Sequence, residues 1–345
     1  MLNVIKSYRG GIIRIKELDI AKGILIIMVM FAHSCAPENY VAKISSILAV
    51  FMLISGYLYK DEMVLVKLKK LFLNILIPFY FMSTVGYFVY YFINRFVSIS
   101  DSVFSSIFDF LFFGYSPIDM PVNVLPLWYL YMFFVAELCF LVLYKLKLVH
   151  LIPVLSFFST LFIKEQSKFF KLEVVFHGLV WFYLGFIFKK NRFGFRIKRK
   201  YLLFSFSFLL LWIFSNINGF NDWRSASYGK FSLLSYFTEF LSIILIVSLS
   251  NILVSTRFEN FFVLFGRFTI FVLGYHILIP GLLTPLVSDP IAFVSRFWYI
   301  YYLVSIFIMY LVLKIFPKWL IYTLAGQFHL IRGNMTFIKK YKRRS

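Results

Sequence analysis

The feature that most limits how this chain can fold is a series of apolar runs, each close to 20 residues long. A helix of about that length crosses the hydrocarbon core of a bilayer. The runs cover about residues 18–36, 41–59, 71–93, 125–144, 148–163, 174–188, 201–217, 231–254, 261–281 and 297–316. The sequence therefore predicts an all-α, polytopic integral membrane protein with about ten transmembrane helices.

Composition supports this class and excludes several others. Of the 345 residues, 61% are hydrophobic and only 15% are charged, whereas a soluble domain carries roughly a quarter charged residues. The 47 Phe and 23 Tyr are too many for a core surrounded by water. A soluble globular enzyme, a disordered chain and a disulfide scaffold are thus excluded, and Cys35 and Cys139 are predicted to be free thiols without metal-ligand spacing.

The basic residues predict an orientation in the membrane. The 36 Lys and Arg exceed the 15 Asp and Glu and give a formal net charge of +21. With both termini in the cytoplasm, most of the basic residues fall on the cytoplasmic side, as the positive-inside rule requires. The charge is therefore interpreted as a topology signal rather than as a sign of nucleic-acid binding. It predicts one transmembrane domain at residues 1–317 and a basic cytoplasmic tail at 318–345.

Ionisable side chains inside the predicted spans are functional candidates, because each costs about 2.5–3.5 kcal/mol at the bilayer centre on insertion scales. They are Asp19, Lys22, His33, Glu137, His177, Glu239, Arg267 and His276.

Three of these residues share one helix face in the first span. Lys22 and His33 lie about 16 Å apart along that helix, and Asp19 is one turn below Lys22. A non-functional explanation is also available for Asp19 and Lys22, because both side chains can extend to the cytoplasmic interface. His33 requires a polar partner or a water-filled cavity, where a neutral imidazole is suited to act as a general base.

Five short motifs follow one another along the chain, and their order is informative. They are Lys22 and His33 with ten residues between them, Ile54-Ser55-Gly56-Tyr57-Leu58, Lys67-Leu68-Lys69-Lys70 followed by Ile77-Pro78-Phe79-Tyr80, Leu127-Trp128-Tyr129-Leu130, and Phe265-Gly266-Arg267-Phe268 through Gly274-Tyr275-His276.

These motifs, over about residues 14–280, resemble those of the acyltransferase-3 family of membrane O-acyltransferases, and most nearly its fucose 4-O-acetylase-related branch. Two departures from the pattern are visible. Val50-Phe51-Met52-Leu53 stands where the branch has Phe-His-Met-Pro, and Glu137 is not at the family's usual spacing from Trp128.

The resemblance implies an O-acetyltransferase of the bacterial inner (plasma) membrane. Its acyl donor would be cytoplasmic acetyl-CoA, used as a substrate, with no tightly bound cofactor and no metal. Its acceptor would be a hydroxyl of a cell-surface polysaccharide or a lipid-linked sugar, such as a capsule or O-antigen unit. His33 is expected to be the general base, and transient acetylation of His33 is the alternative. The oligomeric state stays open.

The remaining site residues follow from the same resemblance, each with an alternative. The phosphates of CoA would favour basic side chains at the cytoplasmic mouth, namely Lys22, Arg14, Lys67, Lys70 and Arg267. Ordinary positive-inside topology also explains Lys67 and Lys70, and an ion pair with Glu239 or Glu137 also explains Arg267.

Supporting or acceptor-side roles are expected for a second set of residues, namely Asp19, His276, Trp128, Ser55, Tyr57 and Glu137. His276 could equally be a satisfied buried histidine, Trp128 part of an interfacial belt, and Ser55 with Tyr57 a site of close helix packing. His177 is expected to be structural. The outer loop at 218–230 has residue types that suit carbohydrate, or it is a solvated turn.

Two other functions remain possible at this point. A polytopic transporter or flippase of lipid-linked sugars explains the spans and the charges within them, although internal repeats typical of transporters are not visible. An inactive relative with a structural or sensing role is the third hypothesis.

Overall fold

The computed structural model describes residues 15–93, 125–163, 171–278 and 296–331. Most of these residues are helical, as the membrane setting demands. Within hydrocarbon every backbone N–H and C=O must find its partner inside the protein, and an α-helix provides this within one segment. The predicted class, an all-α polytopic membrane protein, is confirmed.

The α-helices of the described residues are numbered here in chain order. They are α1 (Lys16–Ala32), α2 (Glu38–Ile44), α3 (Leu48–Leu58), α4 (Val64–Leu71), α5 (Ile77–Ile93), α6 (Trp128–Lys145), α7 (Ile152–Phe162), α8 (Leu172–Lys190), α9 (Lys200–Asn218), α10 (Ser232–Leu253), α11 (Glu259–Arg267), α12 (Thr269–Tyr275), α13 (Trp298–Ile315) and α14 (Lys318–Leu324).

Two pairs of these helices continue into each other. A 3₁₀ turn at Ser45–Ile47 joins α2 to α3, and a π-helical segment at Phe72–Leu76 joins α4 to α5. With these pairs counted as single helices, seven helices of the described residues are long and apolar enough to cross a membrane.

Three of the predicted spans are shorter or broken. The first is α1, with 17 residues, and the fifth is the short apolar helix Val149–Phe162. The ninth is divided into α11 and α12, which meet at Phe268. The total of ten spans and the cytoplasmic location of the termini therefore stay predictions.

Glycines set the closest helix crossings. An ideal Cβ on Gly23 of α1 would lie 2.0 Å from the carbonyl oxygen of Phe262, and one on Gly266 of α11 would lie 1.8 Å from that of Asp19. Only a residue without a side chain lets the two backbones approach this closely. The crossing places Arg267, at the end of α11, beside the first half of α1.

A second crossing of the same kind joins α3 to α8. An ideal Cβ on Gly56 would lie 1.8 Å from the carbonyl oxygen of Phe182, and one on Gly185 would lie 2.0 Å from that of Leu53. The Ser-Gly-Tyr motif thus provides a close helix contact, which was one of its two predicted roles.

Between α9 and α10 the chain forms a small hairpin. Strand β1 (Asn221–Asp222) pairs antiparallel with β2 (Ser227–Tyr228), and a 3₁₀ turn at Trp223–Ser225 connects them. The side chain of Asn218 closes the base of the hairpin, donating to the Tyr228 carbonyl at 3.1 Å and accepting from the Phe231 N–H at 2.8 Å. Residues 219–230 are called the outer hairpin below.

The segment after α13 packs onto the helices rather than away from them. Ile321 of α14 is fully buried, and the Tyr275 hydroxyl donates to the Leu324 carbonyl at 2.6 Å. The packed part of the chain therefore extends beyond the domain end predicted at 317. The basic residues from Arg332 onward lie outside the described residues.

Candidate active site

One cavity of about 540 Å³ is lined by residues from four of the five motifs. It lies among α1, α3, α6, α11, α12 and the outer hairpin, and apolar side chains such as Ile26, Val29 and Leu273 line its middle. The cavity has a Lys22 end and a His33 end, about 16 Å apart along α1. Its lining residues include Lys22, Arg267 and Gln327 at the first end, and His33, Trp128, Asn221, Asp222, Trp223 and Arg224 at the second.

The chemically most distinctive feature is a pair of histidines at one end of this cavity. His33 follows the last residue of α1, and His276 follows the last residue of α12. The His276 Nε2 lies 3.3 Å from the His33 Nδ1, and the two ring centroids are 5.1 Å apart. A supporting role was one of those predicted for His276, and the fold places it in contact with His33.

Backbone carbonyls determine which nitrogen of each imidazole holds a proton. The His276 Nδ1 lies 2.9 Å from the Val272 carbonyl oxygen, so it is protonated and its Nε2 is the acceptor. The His33 Nδ1 lies 2.9 Å from the Val29 carbonyl oxygen and therefore donates to it, with the His276 Nε2 as a second acceptor. The lone pair of neutral His33 is consequently on Nε2, the atom a general base would use.

At the other end of the cavity lie two cationic side chains. Lys22 forms an ion pair with Asp19 at 3.0 Å, and their side chains are 26% and 7% exposed. The pair is thus held largely within protein rather than extended into water. Arg267 lines the same end and is exposed. Among the described residues its guanidinium has no ion-pair partner, so neither carboxylate offered by sequence reasoning neutralises it.

The basic motif of α4 lies elsewhere. Lys67 pairs with Glu137 at 2.8 Å and lies over the Tyr59 ring, 4.4 Å from its centroid. Lys70 donates to both carboxylate oxygens of Glu62, and these hydrogen bonds hold the pKa of that carboxyl below its ordinary value. Neither lysine lines the cavity. Arg14 lies outside the described residues.

Trp128 and the outer hairpin form the wall at the His33 end. Lys171, which is fully buried, donates to the Arg224 carbonyl at 2.8 Å and lies 5.1 Å from the centroid of the Trp128 ring. Burial lowers the pKa of this lysine to about 8. Ser55 also lines the cavity, whereas Tyr57 does not and instead packs edge-on against Phe195, with ring centroids 4.5 Å apart.

Sequence reasoning missed how the outer hairpin is held. Glu239 of α10 is fully buried and accepts hydrogen bonds from four side chains, one of which is His177. The other donors are Trp181, Asn221 and Trp223. A signal was present, because an intramembrane Glu and an intramembrane His are natural partners, but nothing in the sequence aligned Glu239 with an outer loop.

The comparison with protein families gives one match over most of the chain. Residues 15–326 match the model of an acyltransferase domain, which defines the acyltransferase-3 family. The chain belongs to the acyltransferase-3 family. This acyltransferase is therefore a multi-pass membrane enzyme that transfers acyl groups other than aminoacyl groups, and the family predicted from the five motifs is confirmed.

The comparisons identify the family but not a branch within it. The fucose 4-O-acetylase-related branch stays a prediction. Comparisons with curated proteins and with solved structures find no match. Within the part of the chain that the structure describes, no group of three or more His, Cys, Asp or Glu is placed to hold a metal ion.

Proposed function

We propose that this acyltransferase moves an acetyl group from acetyl-CoA to a hydroxyl of a cell-surface polysaccharide or lipid-linked sugar, with His33 as the general base. The observation that carries the proposal is the single cavity. It joins the cationic Lys22 and Arg267 at one end to His33 at the other, where His276 contacts His33 from outside the cavity lining.

The chemistry follows from the protonation of the histidine pair. A sugar hydroxyl is a weak nucleophile, so its proton passes to the His33 Nε2 while its oxygen bonds to the acetyl carbonyl carbon. The carbon–sulfur bond of the thioester then breaks. The CoA sulfur leaves as a thiolate and takes a proton from the imidazolium of His33. Hydrogen bonds from Nδ1 to Val29 and His276 keep the ring oriented throughout.

The donor enters from the end that carries Lys22 and Arg267. CoA is polyanionic, and guanidinium and ammonium groups are its natural partners. The positive-inside prediction places this end toward the cytoplasm. The apolar middle of the cavity suits the uncharged arm that carries the thioester, which must cover about 16 Å to approach His33.

The acceptor occupies the His33 end. Trp128 supplies an aromatic face for stacking on a sugar ring. Asn221 and the neighbouring hairpin residues Asp222 and Arg224 supply polar groups in the same wall. An aromatic face beside amide and charged groups is the chemistry expected for a polyhydroxylated ligand.

Substitution of Arg267 tests the donor end. The Arg267→Gln enzyme should show an acetyl-CoA KM raised by roughly 10-fold or more with little change in kcat, because a lost charge-assisted hydrogen bond is worth about 1.5–3 kcal/mol. The assay measures transfer of radiolabelled acetyl to a panel of methyl pyranosides. Arg257→Gln is the matched control, since Arg257 lies over the Phe258 ring outside the cavity.

Two results would contradict the proposal. One is an unchanged acetyl-CoA KM in Arg267→Gln, which would remove Arg267 from the donor site. The other is a wild-type protein that acetyl-CoA does not stabilise thermally and that acetylates no glycoside. A transporter or flippase of lipid-linked sugars would behave in the second way, because it has no reason to bind acetyl-CoA.

A further inference from the structure

The carboxylate of Glu239 is buried behind the outer hairpin, at the His33 end of the cavity, and does not line the cavity. The part of the hairpin that lines the cavity is called the acceptor wall below. Both oxygens of Glu239 are occupied. Oε1 accepts from the His177 Nε2 at 2.8 Å, the Asn221 Nδ2 at 2.9 Å and the Trp223 Nε1 at 2.9 Å. Oε2 accepts from the Trp181 Nε1 at 2.6 Å. All four partners are N–H donors, which suits an ionised carboxylate because it offers only acceptors.

The donors come from two different parts of the fold. His177 and Trp181 belong to α8, and Asn221 and Trp223 belong to the outer hairpin. Both hairpin donors line the cavity. The Glu239 carboxylate therefore links the acceptor wall to two long helices, α8 and α10. An apolar side chain at this position would lose all four hydrogen bonds.

Surrounding side chains hold His177, one of the four donors to Glu239, in place. The His177 imidazole is stacked between the Tyr228 and Tyr236 rings, with centroids 4.0 Å and 4.6 Å away. Its Nδ1 lies 2.7 Å from the Thr160 hydroxyl oxygen. Because Tyr228 is itself in strand β2, the imidazole holds the hairpin from a second direction.

We propose that Glu239 is a positioning residue for the acceptor subsite, which it shapes through Asn221 and Trp223. The inference rests on the proposed function, since it assigns Glu239 to the acceptor half of that reaction. Glu239 does not line the cavity, so it acts only through these neighbours. Its loss should therefore affect acceptor binding and spare the donor end, which lies at the other end of the cavity.

Glu239→Gln is the informative substitution because it keeps the shape of the side chain. A carboxamide has one acceptor oxygen and one NH₂ group. With the oxygen toward the three Oε1 partners, the NH₂ meets the Trp181 N–H, and two donors face each other. With the amide flipped, three donors face the NH₂ group. Removing the Trp181 donor in Trp181→Phe/Glu239→Gln relieves the first conflict, so this double variant should recover part of the loss.

The kinetic test compares these variants in the acetyl transfer assay, using the methyl pyranoside with the highest wild-type rate as acceptor. Glu239→Gln should raise the acceptor KM at least 10-fold and leave the acetyl-CoA affinity within 2-fold of wild type. Ser242→Ala is the matched control on the same helix. Ser242 is fully buried, and its hydroxyl makes no hydrogen bond among the described residues. This control should leave both constants unchanged.

A second measurement does not depend on activity. A nitroxide label on Ser227→Cys, an exposed hairpin position, reports hairpin motion once Cys35 and Cys139 are replaced by Ser. The label should become more mobile in Glu239→Gln and in Trp223→Phe, and stay unchanged in Ser242→Ala. If Glu239→Gln does not insert, Trp223→Phe gives the same test, because it removes one donor and keeps the ring.

The outcomes separate the inference from the proposed function. A folded Glu239→Gln with a wild-type acceptor KM and an unchanged label spectrum overturns the inference while wild-type transfer stands. Equal losses of donor and acceptor affinity, with no recovery in the double variant, also overturn it and leave Glu239 a general structural residue. Failure of the wild-type protein to acetylate any glycoside counts against the proposed function instead, and the label spectra still decide whether Glu239 holds the hairpin.

Discussion

At the scale of single residues, the two histidines have different tasks although both are imidazoles. Of the two, only His33 has a ring nitrogen that no backbone carbonyl or neighbouring ring of the described residues occupies, since both His276 nitrogens are engaged. His276 serves as the second acceptor for the proton on the His33 Nδ1, and so keeps the Nε2 lone pair available. It is therefore a positioning residue for the proposed base.

His276→Ala should lower kcat by about 10-fold, because loss of one hydrogen bond of about 1.5 kcal/mol corresponds to a tenfold change in rate. The KM for acetyl-CoA and that for the glycoside should stay near wild type, since His276 does not line the cavity. Steady-state kinetics of radiolabelled acetyl transfer provides the measurement. His150→Ala is the control, because His150 is an exposed histidine outside the cavity. An unchanged kcat in His276→Ala would argue against the positioning role.

Sequence predicted these residues better than it predicted their partners. The spacing of Lys22 and His33 placed both on one helix face, and the cavity contains both. That Arg267 has no ion-pair partner among the described residues was not predictable in this way. Sequence offered Glu239 and Glu137, but Glu239 accepts from four N–H groups and Glu137 pairs with Lys67. Which buried charges meet depends on helix packing between positions far apart in the chain, and hydropathy contains no information about that.

At the scale of elements, the glycine crossing of α1 and α11 is what brings Arg267 to the donor end. Gly266→Ala should push the two helices apart, because the added Cβ would lie 1.8 Å from the Asp19 carbonyl oxygen. Overpacking of this kind typically costs about 1–3 kcal/mol. The variant should therefore show a lower melting temperature and a raised acetyl-CoA KM.

Gly194→Ala is the control for that substitution. Gly194 is exposed, and the nearest heavy atom to its added Cβ lies 3.9 Å away. This control should melt and bind acetyl-CoA as the wild type does. A Gly266→Ala enzyme with wild-type melting and donor KM would show that the crossing does not position Arg267.

The apolar runs predicted where helices lie, but not where a helix starts early or is interrupted. The predicted span begins at 71, after Lys67-Leu68-Lys69-Lys70, whereas α4 starts at Val64 and continues through π-helical Phe72–Leu76. Lysine is a good helix former, so a basic segment next to an apolar run extends the helix. The break between α11 and α12 at Phe268 has no proline at the junction, so the sequence contained no signal for it.

At the scale of the whole molecule, the aromatic excess divides into two populations. Some rings fill the core, as Phe79, Phe140 and Phe182 do. Others, including Phe206 and Trp212 of α9, point outward and suit the lipid-facing surface that composition predicted. Hydropathy cannot separate these two populations, because bilayer and core are equally apolar solvents for a ring.

The cavity also predicts the face of the membrane from which each substrate of the proposed reaction approaches. Lys22 and Arg267 lie at one end of the cavity and His33 at the other, so donor and acceptor should approach from opposite faces of the membrane. Cys35 is exposed two residues beyond His33, so it would mark the proposed acceptor face. With Cys139 replaced by Ser, an impermeant maleimide on Cys35 reports which face of a vesicle each molecule presents.

The most direct test uses sealed proteoliposomes sorted by that label, with acetyl-CoA on one side and a methyl pyranoside on the other. Wild-type enzyme should acetylate the glycoside on the Cys35 face from acetyl-CoA on the opposite face. Inserted His33→Ala should still be stabilised by acetyl-CoA but lose about 10²–10⁴-fold in transfer rate, the usual contribution of a general base. A correctly inserted His33→Ala enzyme that transfers acetyl at the wild-type rate would contradict the account.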